Sequence, residues 1–498
     1  MRNSETISDE KGPAGLRNAL LLAGVLALLL AFVTPIGLYA DDLFYGAWGG
    51  YYGETGKFTS AVLARQFPHL TELLIYPPLH MLMQGWFFRI VGYTSASADG
   101  YGAIACLLAS VGWIIAFRRL GLDAWSLAVA PLALTAFCFI GQRPELTGIP
   151  LIALGFAALL GPSRPERFVG RVLIILGPLA APSALGFGAL LLALFTLHEA
   201  WSKRSLMPIL DSIAASLVGV LALGCMIGFR YGEFLHALAW HQSRLGEGNM
   251  ANSSKAGRAA LALLGAALVW WRTRRVGPCL LLLAIGLGMT ASMFMHMRAG
   301  TEITMTGLSI IVIVLCLVPT MRWRMTAAVA LAIGQLVIAG DLFSFWAFSK
   351  ADAALDDKTR TQVEALKAEG RTVVVDEAAA KYLYDYRIAD KLSWTWLLEF
   401  PAWRPYQLDK LQPHDLWVVS RYTLMGYLRG EHFLVPDLNL AAVPYKTTPR
   451  LLCWLGRSSC RLPARRFDYV LVWRDKDGKV MIQDMVADTA PRPVPVTE

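Results

Sequence analysis

The sequence predicts an α-helical polytopic membrane protein that ends in a soluble α/β domain, on three observations. Of its 498 residues 55% are hydrophobic and only 17% charged, where ordinary globular domains carry about 25% charged residues. Long apolar runs fill residues 1–349, whereas 350–498 have the mixed polar texture of a chain folded in water. The charges divide along the same line: 22 of the 46 basic and 20 of the 37 acidic residues lie from Lys350 onward. The C-terminal part is therefore nearly neutral, and the basic excess belongs to the apolar part. There Lys and Arg set topology and meet lipid head groups or phosphates. No nucleic-acid-binding motif accompanies them, which excludes that class of partner.

Taken in order, the polar N-terminus leads into an apolar run over 19–40, long for a signal peptide and followed by no small-residue cleavage site. It reads as a retained first helix with Lys11 and Arg17 on the cytoplasmic side. Residues 41–76 follow as a polar, aromatic outer loop. Further apolar runs fall near 77–92, 100–117, 124–142, 147–160, 171–197, 207–229, 257–271, 277–295, 304–319 and 324–346. Crossing once per run puts Arg118-Arg119 and the basic stretch 163–167 outside, against the positive-inside rule. The preferred alternative treats 77–117 as one net crossing. It divides 171–197 into two short helices between Gly177-Pro178 and Pro182-Ser183, so both basic loops fall inside and Arg143-Pro144-Glu145 outside. Either way about 11 crossings result, with an outer C-terminus.

After Lys350 the elements become short. RTVVVD (371–376) and DLWVVS (415–420) read as strands, each leading into a helix, over 377–385 and around 421–430. YVLVWRDKDGKVMIQD reads as a hairpin about Asp477-Gly478. The final PRPVPVTE reads as a disordered tail. Cys453 and Cys460 are the only cysteines in this part, spaced either for a disulfide in an oxidising compartment or as two unpaired thiols.

Three clusters carry chemistry. Asp41-Asp42, with Tyr45 close behind, stands where the first helix leaves the membrane; Tyr76-Pro77-Pro78-Leu79-His80 opens the next apolar run, and Arg143-Pro144-Glu145 marks a later helix boundary. In this order the chain resembles the GT-C glycosyltransferases that use polyprenyl-phosphate sugars, and within them the protein mannosyltransferase and lipid A aminoarabinose transferase branch. Those enzymes carry an acidic pair with a nearby Tyr, a Pro-Pro-Leu sequence and an Arg-Pro-acidic motif. One departure is Tyr76, where the branch commonly has Lys.

The resemblance implies transfer of a sugar from a polyprenyl-phosphate donor to an acceptor hydroxyl on a lipid, glycan or protein. Asp41 would be the general base and Asp42 a supporting carboxylate, with inversion at the anomeric carbon. Without the Lys, the donor phosphate falls to Arg65, Arg143, Arg298 or His80. His80 has a plainer reading as an interfacial histidine capping a helix, and Arg298, with His296 and Glu302, as part of a topological loop. A divalent metal is compatible with the carboxylates and His80 meeting, although no H-x-x-x-H or C-x-x-C spacing marks one. Arg164-Pro165-Glu166 repeats the Arg-Pro-Glu string among cytoplasmic charges and reads as coincidence. A transporter and a non-catalytic membrane scaffold are the competing classes; internal repeats of the transporter type are absent from the sequence.

Overall fold

The computed structural model describes residues 17–25, 40–58, 78–93, 95–122, 144–236, 252–294, 301–318, 353–376, 390–393, 411–420, 445–447, 461–463, 469–485 and 491–493. The chain divides into two compact units, 1–34 with 73–339 and 35–72 with 340–498. The second unit thus groups the segment that follows the first apolar run with the C-terminal residues.

The first unit is helical. Four of its described helical stretches are long and apolar enough to cross a membrane: Gly100–Arg119, Pro182–Lys203, Met207–Ile227 and Val276–Met293. Glu145–Leu159 and Thr304–Leu317 are apolar but shorter. The helices in the second unit's order and the first unit's are numbered together along the chain: α1 Ala40–Thr55, α2 Leu79–Val91, α3 Ser95–Arg119, α4 Glu145–Leu159, α5 Arg164–Ala180, α6 Leu185–Lys203, α7 Met207–Ile227, α8 Asn252–Thr273, α9 Val276–Phe294, α10 Thr301–Leu317 and α11 Ala353–Ala368. The expected runs 124–142 and 324–346 lie outside the described residues.

The run 171–197 is divided near the expected place, although the second helix is not short: Pro182–Lys203 is long enough to cross a membrane alone. α5 ends at Ala180, Ala181 turns to an extended conformation, and a short 3₁₀ turn over Pro182–Ala184 leads into α6. Proline explains the break. Pro178 inside α5 and Pro182 after it each remove an amide donor from the ladder. The start of α5 is equally local. Ser163 caps it by accepting from the Glu166 amide at 3.3 Å, with Pro165 in the first turn. The second Arg-Pro-Glu string is therefore a helix-starting signal with a structural job.

Close approach of α4 and α5 is made by glycines spaced seven apart on each. Gly148 faces Gly177, and Gly155 faces Gly170, in antiparallel register. In lipid, where burial of apolar groups between helices brings little gain, such small-residue contacts are what drive helix association. α3 runs parallel to α4: the Tyr101 hydroxyl meets Thr147 near their starts, and Arg119 Nη1 donates to the Ala157 carbonyl near their ends at 2.6 Å.

These directions gather the basic turns at one end of the unit. Arg119 pairs with Glu166 at 2.6 Å, Arg164 with Asp211 at 2.8 Å, and Arg275 donates to the Gly121 carbonyl at 3.5 Å. Glu199 sits among Arg171 at 2.5 Å, Lys203 at 2.8 Å and Arg167 at 2.9 Å, joining α5 to α6; Arg171, 1% exposed, also donates to Ser212 of α7. Exposed tryptophans flank this end, Trp201 on α6 and Trp270 and Trp271 on α8, with Arg274 over the Trp270 ring. Tryptophan beside cations is the composition of a membrane–water boundary. α7 meanwhile exposes Leu210, Ile213, Leu217 and Leu221, an apolar stripe at helical spacing that suits lipid. Replacing Glu199 by Leu takes from the buried Arg171 the one carboxylate it bonds among the described residues, leaving its bond to Ser212 and the field of nearby Asp211. Such a change costs about 3–5 kcal/mol when a buried pair loses one member. Thermal melts of detergent-purified protein should show that loss, whereas Lys203→Ala, at the exposed rim of the cluster, should cost well under half as much.

In the second unit, α11 precedes a six-stranded sheet of order β2-β1-β3-β6-β7-β8, the strands being β1 Thr372–Asp376, β2 Lys391–Ser393, β3 Asp415–Ser420, β6 Tyr469–Arg474, β7 Val480–Asp484 and β8 Arg492–Pro493. β1 pairs in parallel with β2 and β3, and the remaining pairs are antiparallel. β4 Tyr445–Thr447 and β5 Arg461–Pro463 form a separate pair. Val373 to Val375, Leu416, Val418, Leu471 and Val472 fill the sheet's core. The expected hairpin turns at Gly478, whose φ of 79° is open to glycine. The tail does not begin as disordered chain: Arg492-Pro493 pairs with β7 as an edge strand, a position that tolerates proline's missing donor. α11 was not read from the sequence, and the helices expected over 377–385 and around 421–430 lie outside the described residues.

Candidate functional site

At the end of the first unit opposite the basic turns, two of the three motif clusters meet. Pro78 begins α2 and Pro144 begins α4, each where a helix needs no amide donor from it. α2 is 13 residues long, about 20 Å, too short for a hydrocarbon core of roughly 30 Å. It is two-faced. His80, Gln84 and Phe88 are buried along one stripe, whereas Met83, Trp86 and Ile90 are exposed on the other. The His80, Phe87 and Phe88 rings all lie within 6.4 Å of the Tyr101 ring, so α2 passes across the start of α3.

His80 is fully buried, and its Nδ1 lies 2.8 Å from the Thr147 hydroxyl, two residues beyond Glu145. The same hydroxyl lies 2.5 Å from the hydroxyl of Tyr101. Glu145, 3% exposed, accepts from the Ser183 hydroxyl at 3.0 Å, across the break between α5 and α6. The glycine register of α4 against α5 explains this neighbourhood, because the pairing of Gly148 with Gly177 brings the start of α4 beside the end of α5. A carboxylate, an imidazole and hydroxyls from α2, α3, α4 and the 3₁₀ turn thus share one end of an otherwise apolar bundle. A broken helix at membrane depth persists where it is buried in protein or lines a cavity.

Of the residues expected from sequence, Glu145 and His80 belong to this cluster. Asp41 and Asp42 fall in the first turn of α1, in the second unit, so that part of the expected loop is a helix of 16 residues. Tyr45, on α1, is buried and meets Trp48 edge-on at 6.2 Å. Arg65, Tyr76, Arg143 and Arg298 lie outside the described residues, as do Cys453 and Cys460. Thr147, Tyr101, Ser183 and Gln84 were missed. Thr147 lies two residues beyond the Arg-Pro-Glu string, and that proximity is the one signal that pointed to it.

Among the described residues no three His, Cys, Asp or Glu side chains come together as ligands of a metal would. Comparison with protein-family models, curated proteins and solved structures gives no match for the chain.

Proposed function

We propose that the chain is a GT-C-like membrane glycosyltransferase of about 11 crossings, moving a sugar from a polyprenyl-phosphate donor to an acceptor hydroxyl outside the membrane. The observation that carries the reading is the hydrogen bond between His80 and Thr147. It joins the helix start that bears Pro-Pro-Leu to the helix start that bears Arg-Pro-Glu, 67 residues away. An enzyme that uses both motifs has to gather them; a scaffold has no such need.

Orientation follows from charge. With the basic turns cytoplasmic, as the positive-inside rule requires, the His80–Glu145 end faces the periplasm or cell exterior. A donor whose polyprenyl tail stays in lipid presents its phosphate at that boundary. In this reading Asp41 takes the proton from the attacking acceptor hydroxyl, and Asp42 supports it. The anomeric bond to the phosphate breaks as the new one forms, with inversion. The cations near the motifs, Arg143 foremost and Arg65 and Arg298 as further candidates, stabilise the departing phosphate. Tyr45, Tyr76 and Glu145 are the further candidates for contact with the substrates.

Purified protein incubated with a panel of radiolabelled polyprenyl-phosphate sugars and membrane extract is expected to move label from at least one donor into an acceptor. Folded protein that transfers from none of several donors overturns the reading and favours the scaffold.

A further inference from the structure

The turn between α8 and α9 carries cations that the fold does not match with acids. At the basic end of the first unit, Glu166, Glu199 and Asp211 are each engaged by an arginine, Arg119, Arg171 and Arg164 respectively. Arg272, Arg274 and Arg275 are exposed, and among the described residues they meet no carboxylate. The backbone holds them in place. α8 ends at Thr273, whose hydroxyl accepts from the Arg275 amide at 3.2 Å. Arg274 turns the chain with a φ of 55°, at the left-handed position that glycine usually takes. Arg275 donates to the Gly121 carbonyl, so the turn rests against the end of α3. Below it, α8 exposes Leu261, Leu264, Leu268 and Trp271, spaced as one helical face, and Arg272 follows Leu268 by one turn on that face. An apolar track about ten residues long, roughly 15 Å, thus ends in a tryptophan and a cluster of arginines.

We infer that this end of α8 binds an anionic phospholipid, its phosphate held by the arginines of the 272–275 turn and one acyl chain lying along Leu268, Leu264 and Leu261. The two halves of the surface together select this partner. A free phosphate would use the cations and leave the track bare. A zwitterionic lipid would cover the track, but its headgroup brings a cation of its own that opposes the arginines. The planar guanidinium matches phosphate oxygens, and basic groups at the cytoplasmic ends of membrane helices are where anionic headgroups bind. Trp271, exposed beside Arg272, belongs at headgroup level. The inference rests on the membrane reading of the first unit and not on the glycosyltransferase reading.

Native mass spectrometry of the full-length protein, released from micelles holding equal amounts of phosphatidylglycerol and phosphatidylcholine, reads the site directly. The wild type should retain phosphatidylglycerol in preference. Arg272→Gln and Arg275→Gln should each weaken that retention about fivefold, the worth of one cation near an anionic lipid surface. Arg272→Lys should keep the preference, and Leu264→Ser, in the track, should weaken it. Arg360→Gln, an exposed position on α11 in the second unit, should behave as wild type. The substituted side chains are exposed, and an unchanged thermal melt checks each fold. Equal retention of the two lipids by the wild type overturns the site. So does an unaltered preference in folded protein carrying both Arg272→Gln and Arg275→Gln. Glycerol 3-phosphate is added in a separate arm and should not displace the lipid at equal concentration; displacement assigns the cations to a free anion and overturns the lipid. No donor or transfer step enters these measurements, so their failure is separable from failure of the transferase reading.

Discussion

Asp41→Asn should abolish sugar transfer while leaving the protein folded and able to bind donor. Asparagine keeps the size of the side chain and removes its basicity, so the acceptor hydroxyl loses the group that takes its proton. General-base removal costs about 10²–10⁴-fold in rate. Because position 41 lies in the first turn of α1 and asparagine keeps the side chain's size, the thermal transition should move little. Donor affinity, read by binding of a labelled polyprenyl phosphate, should stay within a few-fold of wild type. Full activity in the variant takes Asp41 out of the mechanism, and Asp42→Asn then becomes the informative substitution.

Gly170→Leu should have the largest effect on the fold. A Cβ at this position would overlap the Leu159 backbone nitrogen and the Gly155 carbonyl, so α4 and α5 must part. Overpacking typically costs about 1–3 kcal/mol, and a clash with backbone, which has no rotamer to escape into, falls at or beyond the top of that range. The consequence reaches the site, because the same helix pair holds Glu145 beside Ser183. Loss of the cooperative melt and of a monodisperse detergent-solubilised peak is expected. Gly257→Leu on α8, where an added Cβ meets nothing within 4 Å, is the matching control and should behave as wild type.

How much of this was legible in the sequence depended on the range of the interactions involved. The division of 171–197 was readable because two prolines and two basic loops constrain it locally, and helix α5 ends where they require. β1, β3 and the hairpin at Gly478 were readable from β-branched runs and turn residues, which act over a few positions. The partners of His80 were not. Thr147 lies 67 residues away and Tyr101 inside an apolar run, and only the packing of α2 across α3 and α4 makes them neighbours. The heptad spacing of Gly148 with Gly155 and Gly170 with Gly177 was present in the sequence. Aligning those two pairs would have placed Glu145 beside the break at Ser183. The Ser163 cap, three residues before Glu166, was likewise visible in the sequence.

The central claim is that the His80–Glu145 end faces outward and receives a lipid-linked sugar. Ser183, half-buried at that end and bonded to Glu145, gives the most direct test. In protein whose seven native cysteines are replaced, Ser183→Cys should react with a membrane-impermeant thiol reagent applied from outside intact cells, and added polyprenyl-phosphate sugar should slow the reaction. Arg204→Cys, at the basic end, should react only after the cytoplasmic side is opened. Labelling of position 183 from the cytoplasmic side, or a rate untouched by donor, would contradict the account.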